Sequence, residues 1–177
     1  MFDVLNPVNE EVIGQTSMGC AADVDNAVKA ASKSFDSSRQ TTVEERLAIL
    51  GKIVEAYQTR YDEIAETISS EMGAPLSLSK AAQAATGLGH FAQAIEVLQN
   101  FEWEETRGKT VLRREPIGVV GMIPPWNWPR NQISCKVAPA IAAGCTMVWK
   151  PTEMAPLNAM IFAEILHEAG VPAGVFN

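Results

Sequence analysis

The sequence predicts an α/β fold, an incomplete parallel sheet with flanking helices plus a small β-arm. Three observations carry that reading. Residues 117–153 pass from an apolar run through a Pro/Trp/Asn turn and a helical segment to a second apolar run and Lys-Pro-Thr-Glu. That order is the pattern of a strand–helix–strand unit with polar groups where each strand stops. Residues 42–72 hold apolar positions at helical steps of three and four, and residues 101–115 alternate about Arg107-Gly108 as a two-stranded arm does.

Composition bounds the rest. The 177 residues are one domain by length, with 47% hydrophobic and 20% charged side chains, ordinary for a globular protein with a real core. A formal net charge of −7 and a pI near 4.9 argue against nucleic acid or an anionic membrane as partner. The opening MFDVLNPVNEE has neither a basic nor an apolar leader region. No run approaches the ~18–20 apolar residues of a membrane span. Cys20, Cys135 and Cys145 show no metal-ligand spacing, and an odd count without an export signal reads as reduced thiols in a cytoplasmic protein.

Taken in order, residues 2–19 suggest a short hairpin or edge strands. From Ala22 the period becomes helical, with Val24, Ala27, Val28, Ala31 and Phe35 on one face, and SKSFDSSRQTT reads as a polar loop. Thr41 and Thr42, with Glu44 and Glu45 three residues on, are overlapping capping-box candidates. The helix they open carries Leu47, Leu50, Val54, Tyr57, Tyr61, Ile64 and Ile68, and Gly73 with Pro75 ends it. Residues 76–100 are Ala-rich and helical. Their Gly87-Leu88-Gly89-His90-Phe91-Ala92 fits a dinucleotide fingerprint, but that motif works only after a strand, and here a helix precedes it. Close helix packing is the better reading, and His90 becomes a helix-surface or packing residue, not a ligand.

The core unit follows Pro116. Ile117–Ile123 has the pattern of a buried parallel strand. PPWNWP forces a turn, and Pro129 suits the first position of the next helix. Ile133, Val137, Ala140 and Ile141 share a face there, and Gly144 stops it. Cys145–Trp149 is the second strand. Pro156 opens another helix that runs to Ala169, and AGVFN leads toward a third strand.

Ligands in an open parallel sheet bind beyond the carboxyl ends of the strands, and right-handed crossover puts both ends on one edge. Trp126, Asn127, Lys150 and Glu153 are therefore expected in one cleft. Lys150 offers donors and Glu153 an acceptor, a pair suited to ribose hydroxyls, and Glu153 would repel a 2′-phosphate, favouring NAD over NADP. A plain surface pair after a strand is the alternative. Asn127 could aim an amide N–H at an oxyanion, or could simply be an N-cap or Asx-turn residue.

The stretches NPVNEEVIG, ERLAIL, SSEMGAP and above all PIGVVGMIPPWNWPRNQISCKVAPAIAAGCTMVWKPTEMAPLNA resemble the N-terminal part of the NAD(P)-dependent aldehyde dehydrogenase superfamily. The resemblance spans essentially the whole chain, and its last stretch is long and specific. It implies that residues 1–100 and 116–177 belong to a truncated, Rossmann-like cofactor domain and residues 101–115 to the β-arm of an oligomerisation region. Asn127 matches the family's oxyanion-hole asparagine, and Lys150 and Glu153 match its adenosine-ribose contacts. Ile123, Pro124, Pro125 and Trp126 match the turn that runs alongside the cofactor. In the family a cysteine thiolate attacks the aldehyde, hydride passes to the nicotinamide and a glutamate-activated water hydrolyses the thioester.

The same resemblance places that cysteine and that glutamate downstream of GVFN, so this chain alone is expected to be inactive. Cys135 stands where the family often has a cysteine with no catalytic part. Pro124 and Trp149 depart from the family's commoner residues, changes expected to tune packing. The implied partners are a small-molecule aldehyde and either further copies of the chain or the missing C-terminal half. A non-catalytic nucleotide-binding or oligomerisation module, or part of a CoA-acylating semialdehyde dehydrogenase, would share these features.

Overall fold

A chain whose hydrophobic period switches between two and 3.6 residues must alternate strands with helices. The computed structural model, which describes residues 1–177, does so. Strands β1 (Phe2–Leu5) and β2 (Val12–Thr16) pair antiparallel, as the opening residues suggest. Val4 turns inward, and Gly14 leaves room for the Leu157 side chain, which an added Cβ would meet at 3.1 Å.

Helix α1 (Ala21–Ser38) corrects the expected polar loop, because it continues through SKSFDSS. These residues are indifferent helix formers, and tertiary contacts decide the matter. Thr146 Oγ donates to the Ala31 carbonyl at 2.9 Å, and Ser34 Oγ donates to the Ala173 carbonyl at 3.0 Å. Helix α2 (Val43–Thr59) opens on the Thr42–Glu45 capping box: Glu45 N donates to Thr42 Oγ at 3.2 Å, and Thr42 N donates to the Glu45 carboxylate at 2.8 Å. Thr41, the competing candidate, instead accepts from Arg46 Nε at 2.8 Å.

The single helix expected up to Gly73 is two. Helix α3 (Tyr61–Met72) starts after a break at Arg60, whose backbone leaves the helical region. The elbow lets the Arg60 guanidinium reach Glu63 on α3 and Glu164 on the later helix α7 (Leu157–Glu168), both at 2.7 Å. Gly73 ends α3 with φ 71°, the left-handed cap that glycine supplies without penalty. A short α4 (Leu76–Leu78) and a π-helical turn at Ser79–Ala84 lead into α5 (Ala85–Gln99).

Strands β3 (Glu104–Arg107) and β4 (Thr110–Arg113) form the antiparallel arm, with β4 exposed along its length. Strand β5 (Val119–Met122), helix α6 (Pro129–Ala143) and strand β6 (Thr146–Trp149) make the strand–helix–strand unit, and β5 and β6 run parallel. The expected third strand amounts to an isolated parallel bridge between Met147 and Phe176. Met147 N donates to the Val175 carbonyl and Trp149 N to the Asn177 carbonyl, each at 2.8 Å. This segment lies on the side of β6 away from β5, so β5 has one neighbour and stands at the sheet's edge. Strand β5 is therefore not buried as its apolar run predicts: only Met122 is enclosed, and Val119 is 37% exposed. The core lies between α2, α3, α5, α6, β6 and α7, with Phe162 touching Phe91, Trp149 and Phe176 at ring-centroid distances of 6.0–6.2 Å. No helix is long and apolar enough to cross a membrane.

Candidate functional site at the carboxyl edge of the parallel strands

The register of the sheet positions the site. Met122 pairs with Trp149, and Lys150 N donates to the Met122 carbonyl at 3.0 Å. The turns that begin at Ile123 and Lys150 thus leave the sheet side by side on one edge, as the crossover argument requires. In the first turn successive prolines remove backbone donors, and Pro129 then supplies the first residue of α6. In the second, Lys150 Nζ and a Glu153 oxygen lie 2.6 Å apart, one helical turn apart in sequence. That hydrogen bond holds the Glu153 carboxyl below the usual carboxylate range, so the group is ionised at neutral pH and offers an acceptor beside an ammonium donor.

The expected cleft is corrected in one respect. Trp126, Asn127, Lys150 and Glu153 stand on the rim, exposed to solvent, and Ile123 is 80% exposed beside them. Of residues 123–127 only Pro124 is buried, while Pro125 is exposed. Beneath the rim lies a cavity of about 10 Å³, lined by the three prolines of the first turn, Arg130, Trp149, Pro151, Thr152 and the start of α7 at Ala155, Asn158 and Ala159. Nor is Asn127 the cap of α6. That position belongs to Trp128, which makes no side-chain cap bond, so the Asn127 amide stays uncommitted two residues before the helix.

Three residues that reading the sequence passed over form the floor. Arg130, at the second position of α6, is fully buried among Phe162, whose ring centroid lies 4.5 Å from the guanidinium carbon, and Trp149 at 5.9 Å. Burial pulls its pKa down to about 10, against the pull of Tyr57 and Glu71. Glu71, from SSEMGAP, accepts from the backbone N–H of Leu157 at 2.7 Å and of Asn158 at 3.0 Å, and from the Asn158 side chain. It thereby caps α7 from a distant helix. Burial raises its pKa although those bonds oppose the rise. A basic residue in the first turn of a helix opposes the helix dipole, and that anomaly at Arg130 was the one signal legible beforehand.

The glycine fingerprint is a packing motif, as expected. Gly87 lies inside α5, where an added Cβ would meet Tyr57 Oη at 2.4 Å and Arg130 Cβ at 3.1 Å. His90 Nε2 is 2.7 Å from Asn131 Oδ1 on α6. An apolar groove of about 340 Å³ continues from that pair between α5 and α6 to Phe101 and Trp103.

Comparison with known proteins supplies the context for this edge. A sequence model of the aldehyde dehydrogenase family matches residues 1–177. The chain is 50% identical over 176 residues to a 3-succinoylsemialdehyde-pyridine dehydrogenase from Pseudomonas sp., a match covering 99% of this chain and 37% of the relative. Aldehyde dehydrogenase C from Pseudomonas syringae, solved as a variant with NAD+ and octanal, superposes with a TM-score of 0.98 at 46% identity, over 99% of this chain and 36% of that one. An NADP-dependent enzyme from E. coli superposes with a TM-score of 0.93 at 32% identity, over 99% of this chain and 37% of that one. The chain thus spans little more than a third of the length of the proteins it matches.

Proposed function

The chain belongs to the aldehyde dehydrogenase family, and from that premise we propose that it is the cofactor-holding N-terminal part of an NAD-dependent, cytoplasmic enzyme that oxidises an aldehyde to a carboxylic acid. The observation that carries the reading is the in-register ending of β5 and β6, which sets the Asn127 turn beside the Lys150–Glu153 pair.

The residues present suit the cofactor. The Lys150 ammonium and the Glu153 carboxylate, both half-exposed and already 2.6 Å apart, give the donor and the acceptor that vicinal ribose hydroxyls require. An ionised Glu153 disfavours a 2′-phosphate, so NAD is preferred to NADP. The backbone of Ile123, Pro124, Pro125 and Trp126 lines the path beside it. When bound, NAD supplies the hydride acceptor. The uncommitted Asn127 amide donates an N–H to the oxyanion that forms when a nucleophile adds to the aldehyde, a contribution of ~3–4 kcal/mol where such donors have been removed.

The nucleophile itself comes from outside these 177 residues. Cys145 is buried, Cys20 precedes α1, and Cys135 sits midway along α6, none of them at the sheet's edge. The exposed β3–β4 arm is the oligomerisation element. Calorimetry of the chain with NAD and NADP tests the central assignment. NAD is expected to bind more tightly, with Glu153→Ala narrowing the difference, and tighter binding of NADP would refute the role given to Glu153. The purified chain is expected to turn over no aldehyde, and measurable turnover would show that the chemistry lies within it.

A further inference from the structure

Three polar groups around the small cavity beneath the turns have no hydrogen-bond partner within the protein. They are the guanidinium of Arg130, the indole N–H of Trp149 and the Oδ1 of Asn158. Arg130 and Asn158 are both wholly buried, where an unsatisfied polar group is most unfavourable. The Asn158 amide cannot be turned over to change its demand. Its Nδ2 donates to the Glu71 carboxylate and, at 2.9 Å, to the Ala155 carbonyl, and an oxygen in that place would face two acceptors. The residues lining the cavity therefore include two with unpaired donors, Arg130 and Trp149, and one with an unpaired acceptor, Asn158.

That combination selects the occupant. An anion would suit Arg130 and Trp149 but would lie against Asn158 Oδ1, with the Glu71 carboxylate behind it. A cation would suit Asn158 but would meet the guanidinium. A water molecule suits both signs, since it can accept one hydrogen bond from the guanidinium and one from the indole and donate one to Asn158, the usual number for buried water. The volume of about 10 Å³ is also the room that one water requires.

We propose that this cavity is a binding site for a single water molecule, held by Arg130, Trp149 and Asn158. Arg130 lies three residues after Asn127, and Trp149 directly precedes Lys150. The bound water therefore joins the two turns of the candidate site to each other and to the start of α7.

Nuclear magnetic resonance of the ¹⁵N-labelled protein tests this. The indole proton of Trp149, identified among the four tryptophans by its loss in Trp149→Phe, is expected to show a cross-peak to water. In the laboratory frame its sign should be that of a long-lived bound molecule, and in the rotating frame it should be opposite to the sign produced by proton exchange. Replacing chloride by bromide should leave that indole resonance unmoved, and Arg130→Met should abolish the cross-peak. Absence of the cross-peak in the unaltered protein would overturn the proposal, as would a halide-dependent shift, which marks an anion. A cross-peak persisting unchanged in Arg130→Met would remove Arg130 from the site. Should that variant fail to fold, the measurements on the unaltered protein still decide whether the occupant is water.

Discussion

Asn127 and Arg130 are three residues apart and belong to opposite regimes. Asn127 stands on the rim among exposed side chains whose polar groups are free or paired only with each other. Arg130 is sealed beneath it against Phe162 and Trp149. On the rim, water screens charge, and a side chain can be changed with little consequence for folding. In the floor, every atom removed leaves a cavity or an unpaired polar group. The difference teaches that one turn of chain carries both the groups free to meet a ligand and the groups that hold them in place.

Substitutions sharpen that contrast. The largest loss is expected at Phe162→Ala, about 3–5 kcal/mol, because this ring meets Phe91, Trp149, Phe176 and Arg130 together. Urea denaturation would measure it. Gly87→Val comes next, at about 1–3 kcal/mol, since Tyr57 Oη stands where the new Cβ must go. A neutral result would mean that α5 can slide away from α2. Glu71→Ala should lose roughly 2 kcal/mol by uncapping α7, again read from the denaturation midpoint.

Acidity separates floor from rim as well. Burial raises the pKa of Glu71 in the folded state, so its favourable contribution is complete below the ordinary carboxylate value and is lost as pH rises through the raised one. The stability difference between the unaltered protein and Glu71→Gln should accordingly shift against the unaltered protein between acid and neutral pH. A pH-independent difference would show that the carboxylate is not strained by burial. At the other end of the scale, Asn127→Ala and Lys150→Ala should change stability by less than about 1 kcal/mol. Their effect belongs to ligands: weaker NAD binding for Lys150→Ala, and roughly 10²–10³ in kcat for Asn127→Ala in an active enzyme carrying this sequence. A rim substitution that unfolds the protein would erase the distinction.

Most of the fold was legible because glycine and proline punctuate it. Gly73, Gly144 and Pro129 ended or began helices where their chemistry requires. The break at Arg60 was not legible, since Tyr57 through Ile64 keeps a helical period without a glycine or proline and the elbow is fixed by carboxylates from α3 and α7. The edge position of β5 was hidden for a similar reason: an apolar strand reads alike whether it has one neighbour or two. At the site, spacing located both turns, while roles for Asn127, Lys150 and Glu153 came from family resemblance. The floor escaped notice because an arginine, a glutamate and an asparagine drawn from three helices share no local pattern.

Helix α1 carries one more consequence. The expected apolar face exists in the sequence, yet Val24 and Val28 remain 53% and 42% exposed, and only Ala31 of that face is buried. The second half is fastened by hydroxyl-to-carbonyl bonds at Ala31 and Ser34 and by the glycine at 174, where a Cβ would fall 2.1 Å from Ser34 Oγ. In the language of hydrogen exchange, α1 is two helices in one. Its first turns should open and exchange their amides freely, while those beyond Ala31 should open only with the sheet they grip.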